Sequence, residues 1–593
     1  MSELLGASVN LRGLLQVVGQ HLYSSPEVAL RELVQNAHDS AVRRSIEDEA
    51  APEGQIRVVA RPDEQTLRFI DNGAGLTRDE VVQYLATIGS GKTGELRSTH
   101  GADALIGQFG LGFLSAYAVA HKVVVHTTSH AEPDLSHTFT SLDGERFSLS
   151  PGPPREVGTE VVLHLKSEHA HLARVDVVRQ LLARYCCLLP IPVLAPTPVN
   201  AEPPPWRRDL DGLTPFRVRR LRLDFAEAYE GRFRPIACIP VEPSESVPIR
   251  GLLWIQDGAS YASSDNRNIS LFVRGMLISD DLRDLVPRWA GFVGGVLECD
   301  HLLPTASRED VQRDASFSAT VAHLREVLIQ GLATLADREH EAWAMCRTRH
   351  NEALLGASLA DPRLFEVMRD SLTVPTSHGA LTLPEVRQRS DGRLLLSPTS
   401  SSAVPLWFRT LDAPLIAGHR YGVSPFVARW AQVEQVRTIQ LGSGDEGALL
   451  EAVELSPDEG ARLERCFARE QTAVLAARFK PTTLGAVLLE DQEVRLKRTL
   501  EADDASRRIA HGLLGLARDV TRRIDGAHLY RLYANLDNPL VARALHHDDA
   551  QLAAYVVSFA ELSSHLDQDL TEALSAQQDA LLNILDRAPE DRS

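Results

Sequence analysis

The chain has 593 residues, enough for several domains each with its own buried core. Its 80 acids against 62 bases leave a formal charge of −18, which argues against nucleic acid as a partner, because a nucleic-acid groove needs clustered positive charge. No apolar run reaches the roughly 18 residues of a membrane span, and residues 1–20 hold apolar residues at helical spacing without a cleavage pattern, so no membrane partner and a cytoplasmic location are expected.

In chain order, the first informative stretch is Arg31-Glu32-Leu33-Val34-Gln35-Asn36-Ala37-His38-Asp39, which reads as a helix. Leu30, Leu33, Val34 and Ala37 suit one buried face, while Glu32, Asn36 and Asp39 share the other at i, i+4, i+7. Those three are either an ordinary solvated stripe or a working face. Next, Thr66-Leu67-Arg68-Phe69-Ile70 reads as a strand ending in Asp71-Asn72-Gly73-Ala74-Gly75. The glycines permit positive φ and close approach of a ligand, although Asp and Asn also favour turns for purely local reasons. Gly89-Ser90-Gly91-Lys92-Thr93 resembles the end of a Walker A loop, but Ala86 stands where that loop needs its first glycine, so a P-loop is rejected. Lys92 remains a candidate for reaching a phosphate. The ladder Gly107-Gln108-Phe109-Gly110-Leu111-Gly112 then precedes an apolar helix, Phe113 to Val119. Glycines there let backbone N–H groups and a helix N-terminus face phosphates. One carboxylate-and-amide helix, one acidic glycine turn and one flexible glycine loop, in this order, are the parts of a nucleotide site.

These motifs resemble those of the ATPase superfamily that joins gyrase, heat-shock, histidine-kinase and mismatch-repair proteins. Longer matches narrow the resemblance to the heat-shock protein 90 chaperones, in their bacterial high-temperature protein G form. Residues 23–33, Ile106 through Ser115, and Gly158-Thr159 with the strand-like 160–165 are similar to that family's ATPase domain. The likeness continues beyond it in Asn268 to Gly275, Ile278 to Leu282 and Phe292 to Val296, and near the C-terminus in Asn535-Leu536-Asp537-Asn538-Pro539-Leu540-Val541. It is close over roughly residues 10–330.

The resemblance implies ATP and Mg²⁺ as cofactors. Glu32 would orient or deprotonate the attacking water, and Asn36 would hold Mg²⁺ through its side-chain oxygen. Asp71 would accept a hydrogen bond from the adenine amino group, with Gly75 leaving room for the ring and Thr159 supporting the same edge. Gly107, Gly110 and Gly112 would present amides to phosphates and hinge a lid; Gln108, Phe109 and Phe113 belong to the same box, and Asp39 would act behind the ligands. Arg308, in Ser307-Arg308-Glu309, would neutralise charge on the γ-phosphate as a second catalytic residue. The preceding loop departs from the family: it reads His301-Leu302-Leu303-Pro304-Thr305, with Thr305 where Asn is usual, and the lid looks short.

The expected architecture is α/β and multi-domain. An N-terminal α/β sandwich ATPase of the Bergerat type would span residues 1–200, an α/β middle domain 210–495, and a mainly helical dimerisation domain 500–593. Prolines at 190, 192, 196, 198, 203, 204 and 205 read as a stiff connector between the first two. Phe559, Leu562, Leu566, Leu570 and Leu574 recur at helical steps, with Leu581 and Leu585 beyond; such a stripe is intrachain core or, by the resemblance, a homodimer bundle. Cys186, Cys187, Cys238, Cys299, Cys346 and Cys466 show no metal-ligand spacing and read as free thiols. The implied function is an ATP-driven dimeric clamp acting on client proteins. Co-chaperones that grip an acidic tail are not expected, because the chain ends Glu590-Asp591-Arg592-Ser593. The alternative is a nucleotide-binding scaffold with little hydrolysis.

Overall fold

The helical spacing of Leu30, Leu33, Val34 and Ala37 does form a helix, α1 (Val28–Glu47), and all four side chains are buried. The structure is a computed structural model; residues 25–85, 106, 112–142, 144, 146–258, 265–305, 307–397, 413–440, 449–491, 494–499, 528–564 and 570–585 are described. The chain divides into two compact units, Met1–Arg349 and His350–Ser593.

In the first unit, β1 (Ile56–Arg61), β2 (Thr66–Asp71), β3 (Ala120–Thr128), β4 (Ser136–Ser141), β5 (Phe147–Pro151), β6 (Gly158–Leu165), β7 (Val193–Ala195) and β8 (Thr197–Pro198) build a sheet ordered β5-β4-β3-β6-β2-β1-β7-β8 among the described residues. Neighbours run antiparallel except β1 and β7, which are parallel. Strand alternation puts Leu67 and Phe69 of β2, Val123 and Val125 of β3 and Leu163 and Leu165 of β6 into one core with α1 and the helix Val175–Cys186. The result is an α/β sandwich with α1 against the sheet. Register sets the site: Asp71, the last residue of β2, pairs with Thr159 of β6.

The proline-rich segment is not free connector. Val193–Ala195 is β7, and Leu188, Leu189, Val193 and Ala195 are buried in the same core. Asn200 fastens the segment by donating to the carbonyls of Leu189 (2.8 Å) and Ile191 (2.7 Å) and accepting from Val193 N (2.9 Å). Prolines block ladder donors, and here Pro198 falls in β8, the edge strand, where fewer donors are needed. A second sheet of the first unit has the order β12-β11-β13-β10-β9, from β9 (Pro235–Val241), β10 (Ile249–Gln256), β11 (Asn268–Val273), β12 (Met276–Ser279) and β13 (Val293–Cys299). Residues 251–255 and 269–273 lie in β10 and β11. Continuous apolar runs suit them, because these strands are buried on both faces.

The second unit is also mixed α/β. Thr373–Thr376, Gly379–Thr382, Arg393–Ser397, Leu415–Ala417 and Arg437–Gln440 form one sheet, and Glu451–Ala452, Thr472–Arg478, Ala486–Glu490 and Tyr530–Asn535 another, among the described residues. The helices Pro539–His547, Ala550–Ser564 and Leu570–Leu585 follow. On the leucine stripe, Phe559 and Leu581 are exposed, and Leu566 lies outside the described residues. All six cysteines are free. No helix among the described residues is long and apolar enough to cross a membrane.

The Asn535–Val541 motif has a local physical reason. Asn535, fully buried, donates to the carbonyls of Phe479 (2.9 Å) and Leu484 (3.0 Å) and accepts from Asp537 N (3.2 Å). Asn538 caps the next helix by accepting from Leu540 N (3.0 Å) and Val541 N (3.2 Å). Asn535→Ala would remove a buried donor from the Phe479 and Leu484 carbonyls, at about 1–3 kcal/mol. It should lower the calorimetric transition of the second unit by several degrees, while Asn538→Ala, at about 1 kcal/mol, lowers it less.

Candidate functional site

The face of α1 opposite its apolar stripe is not a solvated surface. Glu32 is 2 % exposed and Asp39 7 %, and Arg31, Gln35 and His38 beside them are buried as well. Asn36 alone of the three predicted polar residues is exposed. A carboxylate held that far from water must be paired. Glu32 is met by two guanidinium groups: Arg31 Nη2 lies 3.2 Å from Oε1, and Arg308 Nη1 lies 3.0 Å from Oε2. Arg308 Nη1 also donates to Gln35 Oε1.

Arg308 comes from a tight loop that closes through Thr305 N to Asp310 O (2.9 Å) and Gln312 N to Leu303 O (2.8 Å). Thr305, the departure from the family pattern, adds a side-chain hydrogen bond to the same Asp310 carbonyl at 3.2 Å. Arg308 itself has φ +54°, a left-handed conformation that costs a non-glycine residue about 1–3 kcal/mol. Arg31 holds the loop's main chain in place: its Nη1 donates to Arg308 O at 3.0 Å and its Nη2 to Ser307 O at 3.2 Å. Arg31 thus binds both the carboxylate and the loop that supplies the second cation.

At the other end of α1, Asp71 Oδ1 accepts from Gly73 N (2.9 Å) and from Ser40 Oγ (3.1 Å). Burial pushes the Asp71 carboxyl up to about 7, against the pull of the Gly73, Ser40 and Thr159 hydrogen bonds and of Arg155. The turn is strapped to α1 by Ala74 N to Ser40 O (3.0 Å) and by Arg44 Nη1 to Asn72 O (2.8 Å). Gly75 has φ +63°, and a Cβ there would stand 1.9 Å from the Thr128 carbonyl, so the chain's own backbone already demands glycine. Thr159 Oγ1 lies 3.1 Å from Thr127 Oγ1, which in turn accepts from Leu76 N at 2.9 Å.

The glycine ladder is described only at its ends. Asp39 Oδ1 accepts from Ile106 N at 2.8 Å, which anchors the residue before the ladder to α1. A Cβ on Gly112 would come within 2.6 Å of Glu32 Oε2, so this glycine is what lets the loop's exit cross the carboxylate. Phe113 turns into the core, edge-on to Tyr117 (6.1 Å) and Phe139 (6.3 Å). Lys92, Gly107, Gln108, Phe109 and Gly110 lie outside the described residues. The structure therefore brings together Glu32, Arg308 and Gly112 at one end of α1, and Asp71, Gly75 and Thr159 at the other.

Sequence reasoning missed Arg31, Gln35, Ser40 and Thr127. Ser40 follows Asn36 by one helical turn, and Gln35 follows Glu32 by three residues, so helical phase was the available signal. Thr127 is placed by the pairing of β3 with β6, which no local pattern encodes. Among the described residues, no group of three or more His, Cys, Asp or Glu side chains is placed to hold a metal ion.

Comparison with known proteins bears on the same two regions. The family described as histidine kinase-, DNA gyrase B- and HSP90-like ATPase matches residues 23–148, and the Hsp90 protein family matches residues 242–348. The chain is 29% identical over 411 residues to a protein named chaperone protein HtpG from Salinispora arenicola, covering 63% of this chain and 64% of that protein. It is 28% identical over 418 residues to a chaperone protein HtpG of Halorhodospira halophila, covering 65% and 66%. A protein named heat shock protein 75 kDa, mitochondrial, from Rattus norvegicus is 29% identical over 333 residues, covering 54% and 46%. In each, the chain spans less than two thirds of the relative's length.

Asp71 can be tested without any ligand. A carboxyl whose folded pKa stands above its ordinary 3.8 binds its proton more tightly in the folded chain, so stability falls as pH rises from about 4 towards 7. Asp71→Asn keeps an acceptor for Gly73 N and Ser40 Oγ and removes the buried charge. It should raise the melting temperature of the first unit by a few degrees at pH 8, and by less at pH 5. A gain that is the same at both pH values would mean that burial does not hold this carboxyl up.

Proposed function

We propose that this chain, a member of the HtpG-type heat-shock protein 90 family, is an ATP-dependent molecular chaperone that hydrolyses ATP and couples the cycle to holding and releasing partly folded client proteins. One observation carries the reading. Arg308, in the segment matched by the Hsp90 family, stands 3.0 Å from Glu32, in the segment matched by the ATPase family. A buried carboxylate beside a buried arginine, at the end of a glycine ladder, is what phosphoryl transfer to water requires.

In this reading Asp71 accepts from the adenine amino group, a contact a carboxyl can make in either protonation state. Asn36 is exposed beside Glu32, and its side-chain oxygen is the donor suited to Mg²⁺, a hard cation that takes oxygen ligands and keeps several waters. Bound Mg²⁺ supplies charge neutralisation between the phosphates. Glu32 orients the attacking water and takes its proton, and Arg308 offsets charge that develops on the γ-phosphate. In the arrangement seen, guanidinium nitrogens occupy both oxygens of Glu32. Turnover therefore requires Arg308 to move its donor from the carboxylate to the phosphate, which frees the base at the same moment. The lid of this reading is residues 85–112, hinged by the glycines of the ladder.

Homodimerisation through the C-terminal helices is the remaining part of the proposal, supported by the exposure of Phe559, Leu581 and Leu582 on Ala550–Ser564 and Leu570–Leu585. A cytoplasmic location and domain limits of 1–200, 210–495 and 500–593 belong to the same reading. A nucleotide-binding scaffold with little turnover is the second reading, favoured by the same double occupation of Glu32.

Steady-state ATP hydrolysis beside calorimetric nucleotide binding separates the two. Glu32→Ala should bind ATP yet lose at least about 100-fold in kcat. Arg308→Ala should slow turnover by roughly 100-fold or more, with nucleotide affinity within about threefold of the wild type. Tight binding without turnover in the wild-type protein would establish the scaffold.

A further inference from the structure

Gln35 sits on α1 three residues beyond Glu32, on the same side of the helix, and is 2 % exposed. Its Oε1 accepts from Arg308 Nη1, the nitrogen that also reaches Glu32 Oε2 at 3.0 Å. A guanidinium can only donate, so the amide must present its oxygen to Arg308 and turn Nε2 away. On that far side Nε2 has no hydrogen-bond partner among the described residues. An orphaned buried donor costs about 1–3 kcal/mol, and a leucine or methionine would fill the same space without it. The position is therefore kept for the oxygen, not for packing.

The reason lies in what Glu32 must do. Arg31 fixes the main chain of the arginine loop through the Ser307 and Arg308 carbonyls, but it does not hold the Arg308 side chain. Glu32 does hold it, and a carboxylate that accepts a proton from water loses most of its attraction for a guanidinium. An amide oxygen does not titrate. We infer that Gln35 is a positioning residue, one that keeps the Arg308 guanidinium at the site while Glu32 is released to act on water. This rests on the ATPase reading above for its chemistry, though the grip of Gln35 on Arg308 stands on geometry alone.

The test uses the full chain. Gln35→Leu keeps the volume and removes the acceptor, and should lower kcat roughly tenfold while the KM for ATP stays within about twofold. In an Arg308→Ala background the same substitution should cost less than about twofold more, since no guanidinium is left to hold. Without nucleotide, amide hydrogen exchange across residues 303–313 should quicken about tenfold in Gln35→Leu, with residues 175–186 unchanged. Fully additive losses in the double variant, or unaltered exchange in the loop, would overturn the assignment. If the wild-type protein binds ATP but does not turn it over, the hydrolytic reading falls by itself, and loop exchange alone then decides whether Gln35 holds Arg308.

Discussion

The charge on Glu32 is the constraint from which the first unit is organised. A carboxylate that is 2 % exposed on a helix facing a sheet core has to find cations, and α1 supplies one of its own in Arg31. The second comes from a loop 276 residues further along the chain. Removing one partner from such a buried pair costs about 3–5 kcal/mol, more than the left-handed strain at Arg308. The ion pair can therefore hold an arginine in a backbone conformation it would otherwise avoid. Arg31 serves both ends: its Nη2 donates to the carboxylate and to the Ser307 carbonyl, and its Nη1 to the Arg308 carbonyl.

Asp71 meets the same burial by the opposite means. Its neighbours are a hydroxyl and backbone amides, with Arg155 only a distant help, so the carboxyl rises to about 7 where Glu32 keeps two guanidiniums in contact. The two ends of α1 are thus chemically distinct. One is a paired anion that can be released by moving a cation, and the other is a carboxyl near neutrality that can meet an uncharged ring edge. The nucleotide site proposed above would use that asymmetry, with the base at one end and the phosphates at the other. Helix α1 carries it over about two turns, because Glu32 and Ser40 stand eight residues apart on a rigid rod.

What was legible in the sequence was local. The period of Leu30, Leu33, Val34 and Ala37 was enough for α1, and the alternation ending in Asp71-Asn72-Gly73 was enough for β2 and its turn. The glycines were recognised, but two of them for an incomplete reason. Gly75 is required by the Thr128 carbonyl, and Gly112 by Glu32 itself, and both contacts cross between elements that only the folded chain brings together. Gln35 escaped for the same cause, since a glutamine on a helix announces nothing until an arginine from far along the chain arrives. The proline run from Pro190 to Pro205 reports stiffness and not pairing, and β7 needs only a few backbone bonds to join β1.

The loop before Arg308 shows how a departure from a family pattern can be absorbed. Thr305 stands where the resemblance leads one to expect Asn, and a shorter side chain there should loosen the turn. Instead its hydroxyl and its amide both reach the Asp310 carbonyl, at 3.2 and 2.9 Å, so the turn closes on itself. Closure fixes where the loop carries Arg308, and the side chain's own partners fix where its charge points. Those partners differ in kind: Glu32 holds the guanidinium by charge, and Gln35 by a neutral oxygen. Of these two contacts, the one to the amide does not depend on the carboxylate keeping its charge.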